Sequence, residues 1–192
     1  MSGLTVGFAI CGSFCTFSKV LPEIRNLVEK GIEVVPIMSE TAYSTDTRFG
    51  NAKKFAEEVE KLCAKDVIHT ITQAEPIGPK KLLDILIIAP CTGNTIGKLA
   101  SGINDTAVTL AAKAHLRNLR PILIGVSTND ALSAAAANIG RLMNSKNVYF
   151  IPMSQDDSAG KPNSMVADFT RTHEAMTAAM DGRQLQPVLG II

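Results

Sequence analysis

Residues 82–109 read LLDILIIAPCTGNTIGKLASGINDTAVT, and this stretch decides the fold. Its first eight residues are as apolar as any in the chain, about as long as an ordinary strand, and rich in Ile and Leu. Such a run suits the middle of a parallel sheet covered on both faces. Small polar side chains begin where the strand, expected over 84–89, should end. Ligands bind at that carboxyl edge in open parallel α/β sheets, so PCTGNT is a candidate site on position alone.

Upstream, LTVGFAI (4–10) reads as a first strand, and the small-residue turn CGSFCT leads into a helix over Phe17–Lys30. Val20, Leu21, Ile24, Leu27 and Val28 recur there at helical spacing, and Gly31 stands where a helix stops. IEVVPIM (32–38) is a second strand, SETAYSTDTRFG a polar loop, and 51–64 a helix with Phe55, Val59, Leu62 and Cys63 facing inward. A short extended piece follows over 67–72, and the prolines and glycine of AEPIGPKK exclude regular helix.

Downstream, helices are expected from near Thr95 and over Asp105–Asn118, a strand over 121–126, and a helix over DALSAAAANIGRLMN. A last strand over 147–153, the loop QDDSAGKPNS and a helix over Met165–Met180 complete the order. Strands alternating with helices give a doubly wound α/β domain over 1–181, a parallel sheet with helices on both faces and right-handed crossovers. Residues 182–192 form a tail that only docking would order.

Composition narrows the function classes. A chain of 192 residues forms one core without needing disulfides. The four cysteines, Cys11, Cys15, Cys63 and Cys91, are scattered, and the pair at 11 and 15 has no second pair or nearby His to suggest zinc, so no metal is expected. A net charge of +1 without a basic stripe argues against nucleic acid. No basic leader precedes the first strand and no apolar run approaches the ~18 residues of a membrane span, so a cytoplasmic protein is expected.

Three loops should converge at the carboxyl edge: CGSFCT, SETAYSTDTRFG and PCTGNT. Backbone N–H groups, small side chains and hydroxyls near helix starts hold a phosphate without a lysine clamp. The competing role is turning and capping, because Ser, Thr and Asn are the preferred N-caps. A GxGxxG fingerprint and a Walker loop are both absent; GSF instead suits a mononucleotide phosphate, with Gly12 admitting the backbone and Ser13 offering its hydroxyl. His69, His115 and His173 stand beside no nucleophile and are expected to be solvated or capped, and Cys91 is expected to pack.

PCTGNTIGKLASGINDTAVT resembles the P-A-S/T-x-N-T-I-x-K-x-A-x-G-I-x-D-x-L segment of the flavoprotein family that includes the homo-oligomeric flavin-containing cysteine decarboxylases, and GSF at 12–14 resembles that family's opening loop. Through GSFCTF, TDTRFG, AEPIGPKKLLDILIIAPCTGNT and QDDSAGKPNSMVADF, from about Leu4 to His173, the chain resembles one branch more closely: the B subunits of dipicolinate synthases of spore-forming bacteria. The resemblance implies a flavodoxin-like fold, bound FMN, and a homo-oligomer, a trimer or a multiple of one, with the flavin near a subunit interface. It implies oxidation of dihydrodipicolinate to dipicolinate, the calcium chelator of the spore core, in the mother-cell cytoplasm. The implied partner is the synthase's A subunit, which carries the nicotinamide cofactor, NADP.

Carried over by matching segment, Gly12 and Ser13 would contact the FMN phosphate and Ser39 and Thr41 would flank it. Thr92, Asn94 and Thr95 would hold the phosphate, ribityl chain or ring, and Asp105 would shape the site. A dicarboxylate substrate calls for cations, which makes Arg48 and Lys161 the candidate substrate ligands; pairing with Asp46 is the competing role for Arg48, and solvation that for Lys161. Two departures weigh against a flavin-dependent cysteine decarboxylase. Glu75 and Pro76 stand near the place of the decarboxylase histidine, and GVSTNDALSAAAANIG replaces the P-x-M-N-x-x-M signature. A non-catalytic binding chain that steadies the A subunit is the third reading.

Overall fold

A computed structural model describes residues 3–190. Its centre is four parallel strands, β1 (Thr5–Ile10), β2 (Glu33–Met38), β3 (Ile85–Cys91) and β4 (Ile122–Thr128). β5 (Val148–Phe150) joins the outer side of β4 in parallel, giving the order β2-β1-β3-β4-β5. The expected doubly wound sheet is present, and its order reverses between β1 and β3, where such sheets open a crevice.

Every residue of β3 is buried. Alternate strand residues feed two cores, as a sheet covered on both faces requires. Val6, Phe8, Ile10, Ile85 and Ile87 pack on one face with α1 (Phe17–Glu29), α3 (Ala52–Cys63) and α8 (Thr172–Met180). Ala9, Leu86, Ile88, Ile122 and Ile124 pack on the other with α6 (Ala107–Arg117) and α7 (Ala136–Met143). Burying one such Ile or Leu contributes about 1.5–3 kcal/mol, so these two layers carry most of the fold's stability.

Several element boundaries differ from the sequence reading. The loop after β2 contains a short helix, α2 (Glu40–Ser44), because the Ser39 side chain accepts the Ala42 N–H and starts a turn. The inward face of α3 is Ala52, Ala56, Val59 and Cys63; Phe55 and Leu62 are only half-buried. The extended piece after it contracts to one bridge, Ile37 to Ile68, since a capping box of Thr70 and Gln73 starts α4 (Ile71–Ala74), followed by a 3-10 turn at Glu75–Ile77. Thr92 caps α5 (Gly93–Ser101), which therefore begins ahead of Thr95, and β3 itself extends to Cys91.

The Ala-rich stretch expected as helix from 131 starts only at Ala136. Leu132 N–H bonds Asn163 O, and Ser133 and Ala135 N–H both bond Asp130 O, so tertiary anchoring overrides alanine's propensity. The expected last strand breaks at Pro152, which has no N–H to continue the ladder, leaving β5 and β6 (Met153–Ser154). Residues expected to open the final helix instead form β7 (Met165–Ala167), antiparallel to the end of β4 and to β6. Asp168 caps a turn at Thr170, and α8 follows at Thr172. As far as Gly190 the tail docks, its last two residues lying outside the described residues: Gln184 both accepts the Phe150 N–H (2.8 Å) and donates to the Phe150 carbonyl (2.7 Å), covering the edge of β5. Among the described residues no helix is long and apolar enough to cross a membrane.

Candidate functional site

The turn after β1 is wound tightly. Ser13 N–H bonds Cys11 O (2.8 Å), and Thr16 closes on Ser13 O through both its N–H (3.0 Å) and its hydroxyl (2.8 Å). Cys11 N–H reaches across to Pro90 O (3.1 Å), and Thr95 donates to Cys11 Sγ (3.3 Å), so the ends of β1 and β3 are joined at the crevice. On its far side Ser13 Oγ meets Ser127 Oγ, at the end of β4, at 2.8 Å. A Cβ built on Gly12 would lie 3.2 Å from Thr41 Cγ2 and 3.5 Å from the Phe14 ring, so the bare backbone lets the second loop close against the first.

These groups open into a cavity of ≈ 490 Å³ at the carboxyl edge. The β1–α1 turn contributes Gly12, Ser13 and Thr16, α5 its cap Thr92, and β4 the run Ser127, Thr128, Asn129. Lys19 enters from the first turn of α1, and Asp156 and Lys161 from the loop joining β6 to β7. Phe14 and Phe49 form the wall between this cavity and an apolar groove of ≈ 310 Å³, where Phe17 stacks on Phe55 with centroids 4.2 Å apart.

Of the ten residues expected at the site, Gly12, Ser13, Thr92 and Lys161 line the cavity directly. Ser39 caps α2, and Thr41 packs against Gly12. Thr95 is buried beneath, bonded to Cys11, while Asn94 is exposed on the first turn of α5 and outside the lining. Arg48 is also outside: its guanidinium lies 4.8 Å from the Phe49 ring centre. It does not pair with Asp46, whose carboxylate takes Asn51 Nδ2 (2.9 Å) and the Ala52 N–H (2.8 Å). Asp105 forms an ion pair with Lys98 (2.8 Å) that holds its carboxyl below the usual range.

Charge around the cavity is mixed. Burial raises the Asp156 carboxyl, but hydrogen bonds from Ser164 (2.6 Å) and Lys161 (3.3 Å) outweigh it and leave the acid below its ordinary value. A second carboxylate, Asp130, accepts the Thr128 hydroxyl and stands by the start of α5; a Cβ on Gly93 would lie 2.7 Å from its Oδ1. That acid already offsets part of the positive helix end. Burial pushes the Cys91 thiol well up, which suits packing and not nucleophilic work. His115 departs from expectation: it is neither solvated nor capped but buried, with Nε2 unpartnered.

Residues 1–176 match the family described as Flavoprotein. The chain belongs to the Flavoprotein family. The dipicolinate synthase B subunit of Bacillus subtilis (strain 168) is 45% identical over 98% of this chain and 94% of its own. The crystal structure of the dipicolinate synthase B subunit from Bacillus halodurans C superposes with a TM-score of 0.91 at 44% identity, covering 99% of this chain and 97% of that one. The FMN-dependent cysteine decarboxylase SpaF shares the fold at a TM-score of 0.70 and 19% identity, over 94% of this chain and 98% of that one.

Within this Flavoprotein chain, sequence reasoning missed Ser127, Thr128, Asn129, Asp156 and Lys19. The first three had a usable signal. STN follows ILIGV directly, so the carboxyl-edge rule applied to a fourth strand would have included them. Asp156 had one in the loop QDDSAGKPNS, which already supplies Lys161; Lys19 had none, because nothing in a one-dimensional pattern brings the first turn of α1 beside that loop.

Proposed function

We propose that this chain is the B subunit of a dipicolinate synthase, working with a nicotinamide-binding A subunit to oxidise dihydrodipicolinate to dipicolinate in a sporulating cell. The observation that carries the reading is 45% identity to a dipicolinate synthase B subunit, with both chains covered almost end to end.

The donor set of the cavity fits a mononucleotide. Gly12 lines the cavity with backbone alone, and Ser13, Thr92, Ser127 and Thr128 supply hydroxyls. Ser39 and Thr41 would flank the phosphate, Asn94 and Thr95 would hold the ribityl side, and Lys161 is the proposed substrate cation. Because Asp130 stands at the start of α5, the turn at Gly12–Ser13 bears more of the phosphate's charge than α5 does. FMN bound there would supply two-electron redox chemistry that hydroxyls and lysines lack. The side chains themselves bind, orient and shield the ring. Oxidation removes a hydride and a proton from the dihydropyridine ring, and NADP on the A subunit is the proposed terminal acceptor. Assembly as a trimer or a multiple of one belongs to the same proposal.

Purifying the chain with a candidate A subunit tests the reading. Loss of dihydrodipicolinate with matching NADPH formation should require both chains, and equal turnover by the A subunit on its own would overturn a catalytic role for this chain.

A further inference from the structure

Three lining residues of the 490 Å³ cavity are charged: Lys19, Lys161 and Asp156. They come from elements far apart in sequence, α1 and the β6–β7 loop, and meet only because β7 folds back on the end of β4. Their bonding is unequal. Asp156 is anchored by Ser164 Oγ at 2.6 Å and is the less exposed partner of its ion pair, 27% against 51% for Lys161. Lys161 Nζ approaches it at 3.3 Å, longer than a well-formed charge-assisted hydrogen bond. The Lys161 backbone is fixed, with its N–H on Asp157 O (2.8 Å) and the Gly160 N–H on Asp157 Oδ1 (2.8 Å). The carboxylate and the loop stay in place, and the lysine side chain is the part that can exchange partners. Lys19 makes no ion pair among the described residues.

We propose that Lys19 and Lys161 form a two-point receptor for a small planar dicarboxylate, and that Asp156 is the resident counter-ion from which the ligand's carboxylate draws Lys161. The inference rests on the proposed dipicolinate synthase role and names the substrate contacts within it. Two carboxylates meet two ammonium groups, and Phe14 and Phe49 provide an apolar wall for the ring's face. Lys19 takes the position that the sequence reading gave to Arg48, which is outside the cavity.

Calorimetric titration of the full-length chain with dipicolinate, with pyridine-2-carboxylate, with inorganic phosphate and with FMN tests this. Lys19→Gln and Lys161→Gln should each weaken dipicolinate binding about tenfold or more, toward that of the monocarboxylate, and flatten its salt dependence. Asp156→Asn keeps a partner for Ser164 but removes the competing charge, so dipicolinate should bind about threefold or more tightly. FMN affinity should change several-fold less than dipicolinate affinity in all three. If wild type binds dipicolinate and both lysine variants bind it equally well, the receptor is wrong and the synthase role stands. Parallel losses for phosphate and FMN would make the lysines phosphate ligands and also overturn it. A wild-type chain that binds no dipicolinate, with or without FMN, overturns both the receptor and the role it rests on.

Discussion

The two ends of the central sheet are built differently. At the amino end, Thr5 N–H bonds Asp84 Oδ2 (2.9 Å) and Asp84 N–H returns to Thr5 O (2.8 Å). Arg120 donates to the carbonyls of Lys81 and Leu83 and approaches Asp84 Oδ1 at 3.5 Å, while His115 is buried alongside. Backbone and charge there largely satisfy each other, with His115 Nε2 the buried exception. At the carboxyl end the contacts are between hydroxyls and thiols; Ser13 with Ser127 borders the open cavity, and Thr95 with Cys11 lies buried beneath it. Stability is invested at one end and binding capacity at the other, as expected when a rigid scaffold presents function on its loops.

Acid should expose the amino end first, and this is the largest expected effect. Burial, then the charge of Arg120, lowers the His115 pKa from 6.5 to about 4. Between those values the unfolded chain binds a proton that the folded chain refuses. Stability is therefore complete above pH 6.5, falls as pH drops toward 4, and loses roughly 3 kcal/mol through this group over that window. Urea unfolding of wild type and His115→Leu across that range checks it; the variant should show a flatter profile, and identical slopes would reject the assignment.

Arg120→Ala probes the same end with a somewhat smaller effect. Losing its hydrogen bonds to two carbonyls and to Asp84 should cost about 2 kcal/mol of stability at pH 8 and leave FMN affinity unchanged. Equal melting curves would show that the amino end is sealed by backbone alone. Ser127→Ala, at the carboxyl end, should do the reverse. Stability should fall by about 1 kcal/mol or less, because the hydroxyl borders an open cavity where water can replace it, while FMN affinity drops about fivefold. A large loss of stability with unchanged affinity would erase the contrast between the two ends.

How far the sequence was legible follows the same division. β3 could be read from LLDILIIA because a strand buried on both faces needs an unbroken apolar run, and α1 from its i, i+4, i+7 spacing of Val20, Ile24 and Leu27. The appendage of β6 and β7 was not legible. Strands of two and three residues carry too little pattern, and MVADF fits a helix start until Ser127 and Thr128 demand partners. The site divided likewise: Gly12, Ser13 and Thr92 lie in loops that directly follow central strands, whereas Asp156 reaches the cavity through the appendage. Arg48 was chosen for its charge and its loop, and local packing on Phe49 turned it elsewhere.

The central claim is that the carboxyl edge, through the turn at Gly12–Ser13, receives the phosphate of a mononucleotide. Fluorescence titration of FMN into wild type and Ser13→Asp tests it most directly, since a carboxylate placed there would repel a phosphate while the turn, an ordinary site for Asp, tolerates the change. The account predicts saturable binding to wild type and a loss of about a hundredfold or more in the variant at unchanged melting temperature. Equal affinity in the two proteins would contradict it.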